Sequence, residues 1–199
     1  GYGNSYFWVK PDRIVPLHLV QEVSERLDAR GQVVEELDEQ SVIAAASFFR
    51  DSGIRSIGVC LLHSYLNSSH EERVKEIISE VFPEATVSIS SRVLREYREY
   101  ERSVTTLVDA FVKDRVVQYI SSISDRLELI SEAEPPAFYV MKSNGGIISS
   151  EAVGDQPITT VLSGPAAGAL GAAEVARHAG FEHVLALDGG GTSTDATVV

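Results

Sequence analysis

The succession of apolar and polar positions divides the chain into segments of two different periods. Val20–Leu27 and Gln32–Leu37 are short and strand-like, and Asp28-Ala-Arg-Gly31 between them is rich in turn formers, so the pattern predicts a β-hairpin. Asp38 follows in position to cap a helix running to about Asp51, with Gly53 as its terminator. Ile54–Leu62 is apolar and β-branched without alternation, which is how a strand buried on both faces reads. Asn67 or Ser68 then opens a second helix with Glu71 near its third position, as in a capping box, and Pro83 closes it. Ala85–Ser90 returns to strand. Helix, strand, helix, strand at these lengths predicts an α/β layer with parallel pairing.

Ser103–Ile130 is the longest periodic stretch. Val104, Leu107, Val108, Phe111, Val112, Val116, Tyr119, Ile120, Ile123, Leu127 and Ile130 recur at helical spacing, and core packing is the simplest use of such a stripe. Glu132-Ala-Glu-Pro-Pro136 breaks the pattern, Ala137–Met141 reads as a short strand, and Lys142–Gly146 reads as a turn. Pro165 fits a helix's first turn and Gly180 its end. Ala166–Ala173 between them is made of small residues, apart from Leu170, that allow another element to approach closely. Val184–Leu187 and Ala196–Val199 are strands separated by Asp188-Gly-Gly-Gly-Thr-Ser-Thr-Asp195.

That last segment carries the clearest chemistry. Gly189, Gly190 and Gly191 let the backbone turn tightly with its amides turned toward a ligand. Thr192, Ser193 and Thr194 add hydroxyl donors, and Asp188 and Asp195 at the two ends can share a hydrated divalent cation. Amides, hydroxyls and carboxylates are what a magnesium–polyphosphate requires; an ordinary glycine hairpin with solvated threonines is the alternative. The segment is not a P-loop, since no Gly-Lys-Ser/Thr follows, and strand rather than helix after the glycines excludes the dinucleotide fingerprint.

Weaker candidates each keep a plain structural reading beside the functional one. Ser163 and Gly164 lie at a helix start that either attracts an anion or is simply capped. Ser143, Asn144 and Gly145 form a turn that either presents amides to a substrate or only reverses the chain. Tyr97–Arg102 alternates in charge, as a solvated salt-bridged face or as an interface. His63, His70, His178 and His183 lack a metal-binding spacing and read as loop or capping histidines. There is no Gly-x-Ser-x-Gly, so a hydrolase triad has no support.

The 199 residues suffice for one large domain or two small ones. Net charge is −12, with 16 acids against 11 bases in the first hundred residues and 13 against 6 in the rest. So evenly acidic a chain argues against nucleic acid or an anionic membrane as partner and suits cytoplasmic solubility. No apolar run approaches the roughly 20 residues of a membrane span, and Gly1–Lys10 does not read as a signal peptide. Cys60 is the only cysteine, set in an apolar run where a buried structural thiol is expected.

The order small-residue helix, apolar strand, Asp-Gly-Gly-Gly-Thr, strand resembles the middle of the actin, sugar kinase and heat-shock ATPase superfamily. A resemblance covering more of the chain is to the hydantoinase A/5-oxoprolinase family, which includes ATP-dependent acetone carboxylase subunits. Val59–Asn67, Arg98–Arg102 with Thr105-Thr106, Met141–Gly146, Ser163–Gly168 and Asp188–Asp195 carry it. The chain departs at Asp109, where Asn is usual; at Lys142, where Gln is common; and at Gly189–Gly191, where Met-Gly-Gly is usual. The resemblance implies an α/β, actin-like (ribonuclease H-like) ATPase fragment with a mixed sheet and flanking helices. Residues 1–160 would end the family's N-terminal region, and 161–199 would open the ATPase domain with its connecting helix and phosphate hairpin. It further implies ATP and Mg²⁺ as cofactors and a small cyclic amide as substrate, opened after phosphoryl activation. A hydantoinase B-like subunit or domain is the implied partner. Ketone carboxylation and a non-catalytic docking role remain the alternatives. An earlier phosphate hairpin, usual in the family, is not found in these residues, and an internal fragment that does not turn over alone is expected.

Overall fold

The computed structural model describes residues 13–131 and 136–199; the expectation for Gly1–Lys10, and the break at Glu132–Pro136 save its last residue, lie outside them. The first hairpin forms but is shorter than its pattern, with β1 (Arg26–Leu27) antiparallel to β2 (Val33–Glu35). Asp28 builds the turn by accepting the backbone N–H groups of Arg30 and Gln32, both at 2.8 Å. α1 (Glu39–Asp51) starts where the Asp38 carboxylate accepts Gln40 N–H at 3.0 Å, and it ends on Gly53 at φ +70°.

β3 (Ser56–Val59), α2 (Ser69–Val81) and β4 (Thr86–Ile89) follow, and β3 and β4 pair in parallel from Ser56 opposite Thr86 to Val59 opposite Ile89. Successive strand residues face opposite ways. Ile57, Val59, Val87 and Ile89 therefore meet Val42 and Ala46 of α1 and Val74, Ile77 and Ile78 of α2 in one buried core. Each such aliphatic side chain contributes about 1.5–3 kcal/mol when fully buried. Gly58 and Ser88, on the other face, meet the helix described next.

That helix is α4 (Glu99–Ile130), which follows the short α3 (Ser90–Val93). Its 32 residues span about 48 Å at 1.5 Å each. The expected helix is present and most of its apolar stripe is buried or half-buried, but its most deeply buried positions are largely polar and part of the stripe faces outward. Arg102, Thr106, Asp109, Ala110 and Ile120 are buried, whereas Phe111, Tyr119, Leu129 and Ile130 are 65–85% exposed. The reason is long-range pairing. Asp109 accepts Ser88 Oγ at 2.6 Å, and Arg102 donates through Nη2 to the Leu61 carbonyl at 2.7 Å while its guanidinium stands 5.5 Å from the Tyr65 ring centre. Gly58 permits the approach, since a Cβ there would lie 3.0 Å from Leu107 Cδ2.

Two smaller expectations change in the same way. Glu71 does not close a capping box: it is fully buried and accepts Leu61 N–H (2.8 Å), Ser90 Oγ–H (2.6 Å) and Ser91 N–H (2.8 Å). Asn67 Oδ1 takes the first free amide of α2 instead, from Ser69 at 3.0 Å. In the Tyr97–Arg102 run, Arg98 and Glu101 pair on the surface, but Arg102 belongs to the interior.

β5 (Tyr139–Met141) and β6 (Ile147–Ser149) form an antiparallel ribbon, followed by α5 (Ser150–Val153) and a 3-10 turn at Pro157–Thr160. α6 (Ser163–His178), ended by Gly180 at φ +82°, leads to β7 (Leu185–Gly189) and β8 (Thr194–Val198). The class is α/β, but in place of one mixed sheet the described residues hold one parallel pair and three antiparallel ribbons. α4 and α6 intervene between successive pairs, and no ladder joins them. Among the described residues no helix is long and apolar enough to cross a membrane.

Candidate functional site

The glycine segment forms the tip of the β7–β8 ribbon. The register sets Asp188 opposite Asp195 and Gly189 opposite Thr194. Directly opposed residues of an antiparallel pair project from the same face, with Cβ atoms about 4.5–5.5 Å apart. The two carboxylates therefore share one side of the ribbon. Gly190 N–H donates to Ser193 O at 2.9 Å, which closes the tip and leaves Gly191 and Thr192 at its apex. At the far end Val184 and Val199 exchange both backbone bonds at 3.0 Å and fix the register. Asp188 through Asp195 is exposed throughout.

α6 stands against this ribbon. Asp188 Oδ2 lies 3.7 Å from where a Cβ on Gly168 would be, so the missing side chain brings carboxylate and helix together. The start of α6 carries no side-chain cap and no acid in its first turn, and Leu162 before it holds the left-handed conformation at φ +63°. Ser163 and Gly164 thus begin a helix whose first amides remain available, the polarity that attracts an anion.

The Ser143–Gly145 turn is well built by itself. Asn144 Oδ1 accepts Gly146 N–H at 3.0 Å, Lys142 N–H donates to Gly146 O at 2.7 Å, and Gly145 sits at φ +84°. Ser143 N–H donates to Thr159 O at 2.7 Å. A Cβ on Gly145 would lie 3.0 Å from Leu170 Cδ1 of α6. Leu170 and Gly168 are two residues apart, about 200° around the helix. The turn and the ribbon therefore meet different sides of α6.

The donor set suits a magnesium–phosphate more than a bare metal. Among the described residues no three His, Cys, Asp or Glu side chains converge as a metal cage. Magnesium keeps several waters and typically takes one or two carboxylates plus phosphate oxygens, and Asp188 with Asp195 matches that demand. Cys60 is half-buried, and that burial pushes its thiol above 9.0, its ordinary value, as an unreactive structural thiol requires. His70 is neither loop nor cap: its Nδ1 lies 2.7 Å from Glu25 Oε2, and both side chains are buried.

The residues that position the site were not evident as such in the sequence. Asp109 accepts Ile158 N–H at 3.0 Å as well as Ser88 Oγ, so one buried carboxylate ties β4 to the 3-10 turn leading into α6. Gln156 Nε2 adds a bond to Arg92 O at 2.6 Å. The added charge of Asp109 is spent on internal bonds and not on a surface contact.

Comparisons with known proteins extend over both parts of the chain. Residues 3–82 match the hydantoinase/oxoprolinase N-terminal region and residues 102–199 match hydantoinase/oxoprolinase. The acetophenone carboxylase gamma subunit of Aromatoleum aromaticum is 35% identical over 195 residues, 96% of this chain and 26% of that protein. The nucleotide-free structure of acetone carboxylase superposes with a TM-score of 0.85 at 30% identity, covering 94% of this chain and 26% of its own. The ATP-dependent caprolactamase of Pseudomonas jessenii superposes at 0.77 with 27% identity, over 100% of this chain and 28% of its own. The chain thus spans about a quarter of these relatives. Matched over residues 3–82 and 102–199 by the family's two regions, it belongs to the hydantoinase/oxoprolinase family.

Proposed function

We propose that this chain is the part of an ATP-dependent cyclic-amide hydrolase, of the hydantoin or 5-oxoproline type, that holds the nucleotide's phosphates. The observation that carries the reading is the pairing of Asp188 with Asp195 on one face of a ribbon whose glycine tip is open and whose flank rests on Gly168 of α6. Amides of Gly189, Gly190 and Gly191 and hydroxyls of Thr192, Ser193 and Thr194 hold phosphate oxygens. Asp188 and Asp195 would hold Mg²⁺, which would supply neutralisation of charge on the transferred phosphoryl group. The amide oxygen of the ring would take the γ-phosphoryl group, with ADP as the leaving group. One water then adds at the activated carbon and the C–N bond breaks to open the ring as an acyl phosphate, which a second water cleaves to carboxylate and phosphate. Ser163 and Gly164 contribute the positive end of α6 to the cleft, and Ser143, Asn144 and Gly145 form a substrate-side turn.

The arrangement of α6, β7, the tip and β8 is read as the second phosphate element of an actin-like ATPase. Residues 161–199 then form its opening, after 1–160 have closed the N-terminal region. A caprolactamase relative supports the lactam reading. A ketone carboxylase is the second reading, favoured by the 35% identity to a carboxylase subunit. In either case the partner is a hydantoinase B-like subunit or domain and the enzyme works in the cytoplasm.

The test is ATP turnover by the full-length protein with hydantoins, 5-oxoproline, and ketones with bicarbonate. Asp188→Ala is expected to abolish substrate-dependent turnover. Unchanged turnover in that variant would refute the assignment of the ribbon.

A further inference from the structure

The outward stripe of α4 is unaccounted for by the fold. Positions 111, 115, 119, 122, 126 and 129–130 recur every three or four residues and so lie on one side of the helix. They face away from the buried side that carries Arg102, Thr106, Asp109 and Ile120. From Phe111 to Ile130 the stripe is about 28 Å long. Its apolar members Phe111, Tyr119, Leu129 and Ile130 are all strongly exposed. Arg115 and Arg126 stand among them, both exposed, and neither forms an ion pair among the described residues. An apolar stripe set with cations is unusual on a chain whose net charge is −12.

We infer that this face of α4 docks the partner subunit of the enzyme proposed above, through a helix of that subunit that is apolar on one side and carries carboxylates. The inference rests on that functional reading for the identity of the partner. Charge selects the occupant. A second copy of this chain would set the same cations against each other at a symmetric contact, with no carboxylate on the stripe free to meet them. Glu101, on this side, is already engaged by Arg98. An anionic membrane or nucleic acid would be attracted by two arginines but repelled by the other charges of the chain. A helix laid along α4 at the usual separation of about 8–10 Å covers the apolar side chains and brings its carboxylates to Arg115 and Arg126.

The experiment uses the full-length protein carrying Tyr119→Cys, purified alone and with its co-expressed hydantoinase B-like subunit. Maleimide labelling of the peptide containing position 119 is followed by mass spectrometry. The expected result is rapid labelling of the protein alone and at least a tenfold slower rate in the complex. Arg115→Glu with Arg126→Glu should abolish co-purification while leaving the circular dichroism and thermal midpoint of the isolated protein unchanged. Equal labelling rates with and without the subunit would overturn the inference. So would slow labelling of the protein alone at every concentration, because its own remaining chain would then cover α4. Labelling that slows only as the protein alone is concentrated would assign the face to a second copy and would also overturn it. ATP turnover is measured in parallel: protection of position 119 without turnover would sink the functional reading and leave the docking face standing.

Discussion

Replacing Glu71 tests whether a single buried carboxylate holds the ends of the parallel strands. Its Oε1 accepts Leu61 N–H and Ser90 Oγ–H, and its Oε2 accepts Ser91 N–H, all between 2.6 and 2.8 Å. Leu61 lies just beyond β3, while Ser90 and Ser91 lie just beyond β4, so α2 grips both strands through this side chain. A hydrogen bond to a charged group contributes about 1.5–3 kcal/mol net. The three do not simply add, because desolvating the carboxylate opposes them. Removing one member of a buried charged network typically costs about 3–5 kcal/mol, and we expect that for Glu71→Ala. Glu71→Gln keeps an oxygen for Leu61 and Ser90 but turns an amide toward the Ser91 N–H, for a loss of about 1–3 kcal/mol. Against a typical total of about 5–15 kcal/mol, the alanine variant should unfold at a much lower urea concentration, with glutamine between it and the parent. Equilibrium urea unfolding followed by far-ultraviolet circular dichroism reads both values. An alanine variant that loses less than about 1 kcal/mol, or a glutamine variant as damaged as alanine, would refute the reasoning.

Two further outcomes follow from the buried groups. Asp109→Asn should cost under about 1 kcal/mol, since its amide can accept Ile158 N–H and donate to Ser88 Oγ, whereas Asp109→Leu should cost about 2–4 kcal/mol by orphaning both; thermal unfolding of the two variants separates them. Cys60 should react with a disulfide reagent far more slowly than a free thiol at neutral pH. Because folding raises its pKa, its contribution to stability is full below 9.0 and falls as pH climbs from there toward the raised value. Cys60→Ala should remove that alkaline decline, as pH-dependent unfolding would reveal.

Much of the architecture could be read from local pattern. Asp38, Gly53, Pro165 and Gly180 mark helix ends by rules that need only neighbouring residues, and the structure honours each. The parallel pairing of β3 with β4 and the glycine-tipped ribbon were legible for the same reason. What escaped was the polar row that α4 buries most deeply. A helical stripe of Val, Leu, Phe and Ile normally marks the core, but here Arg102, Thr106 and Asp109 turn inward. Their partners lie 21 to 49 residues away for Asp109 and 41 residues away for Arg102. No local period carries that information, and the same blindness made Glu71 look like a cap.

The β7–β8 ribbon has a thermodynamic consequence. A two-stranded ribbon by itself is marginal in water, and within these residues this one rests on α6, with exposed residues along most of its length. By its exposure such a ribbon is expected at the low-energy end of the opening spectrum, and the buried α1–β3–α2–β4 core at the high end. Any phosphate ligand held at Asp188–Asp195 must first stiffen it, so affinity is the intrinsic contact energy less the work of ordering. If the ribbon holds phosphates as proposed, whatever packs along β7 and β8 tightens that binding without touching the ligand.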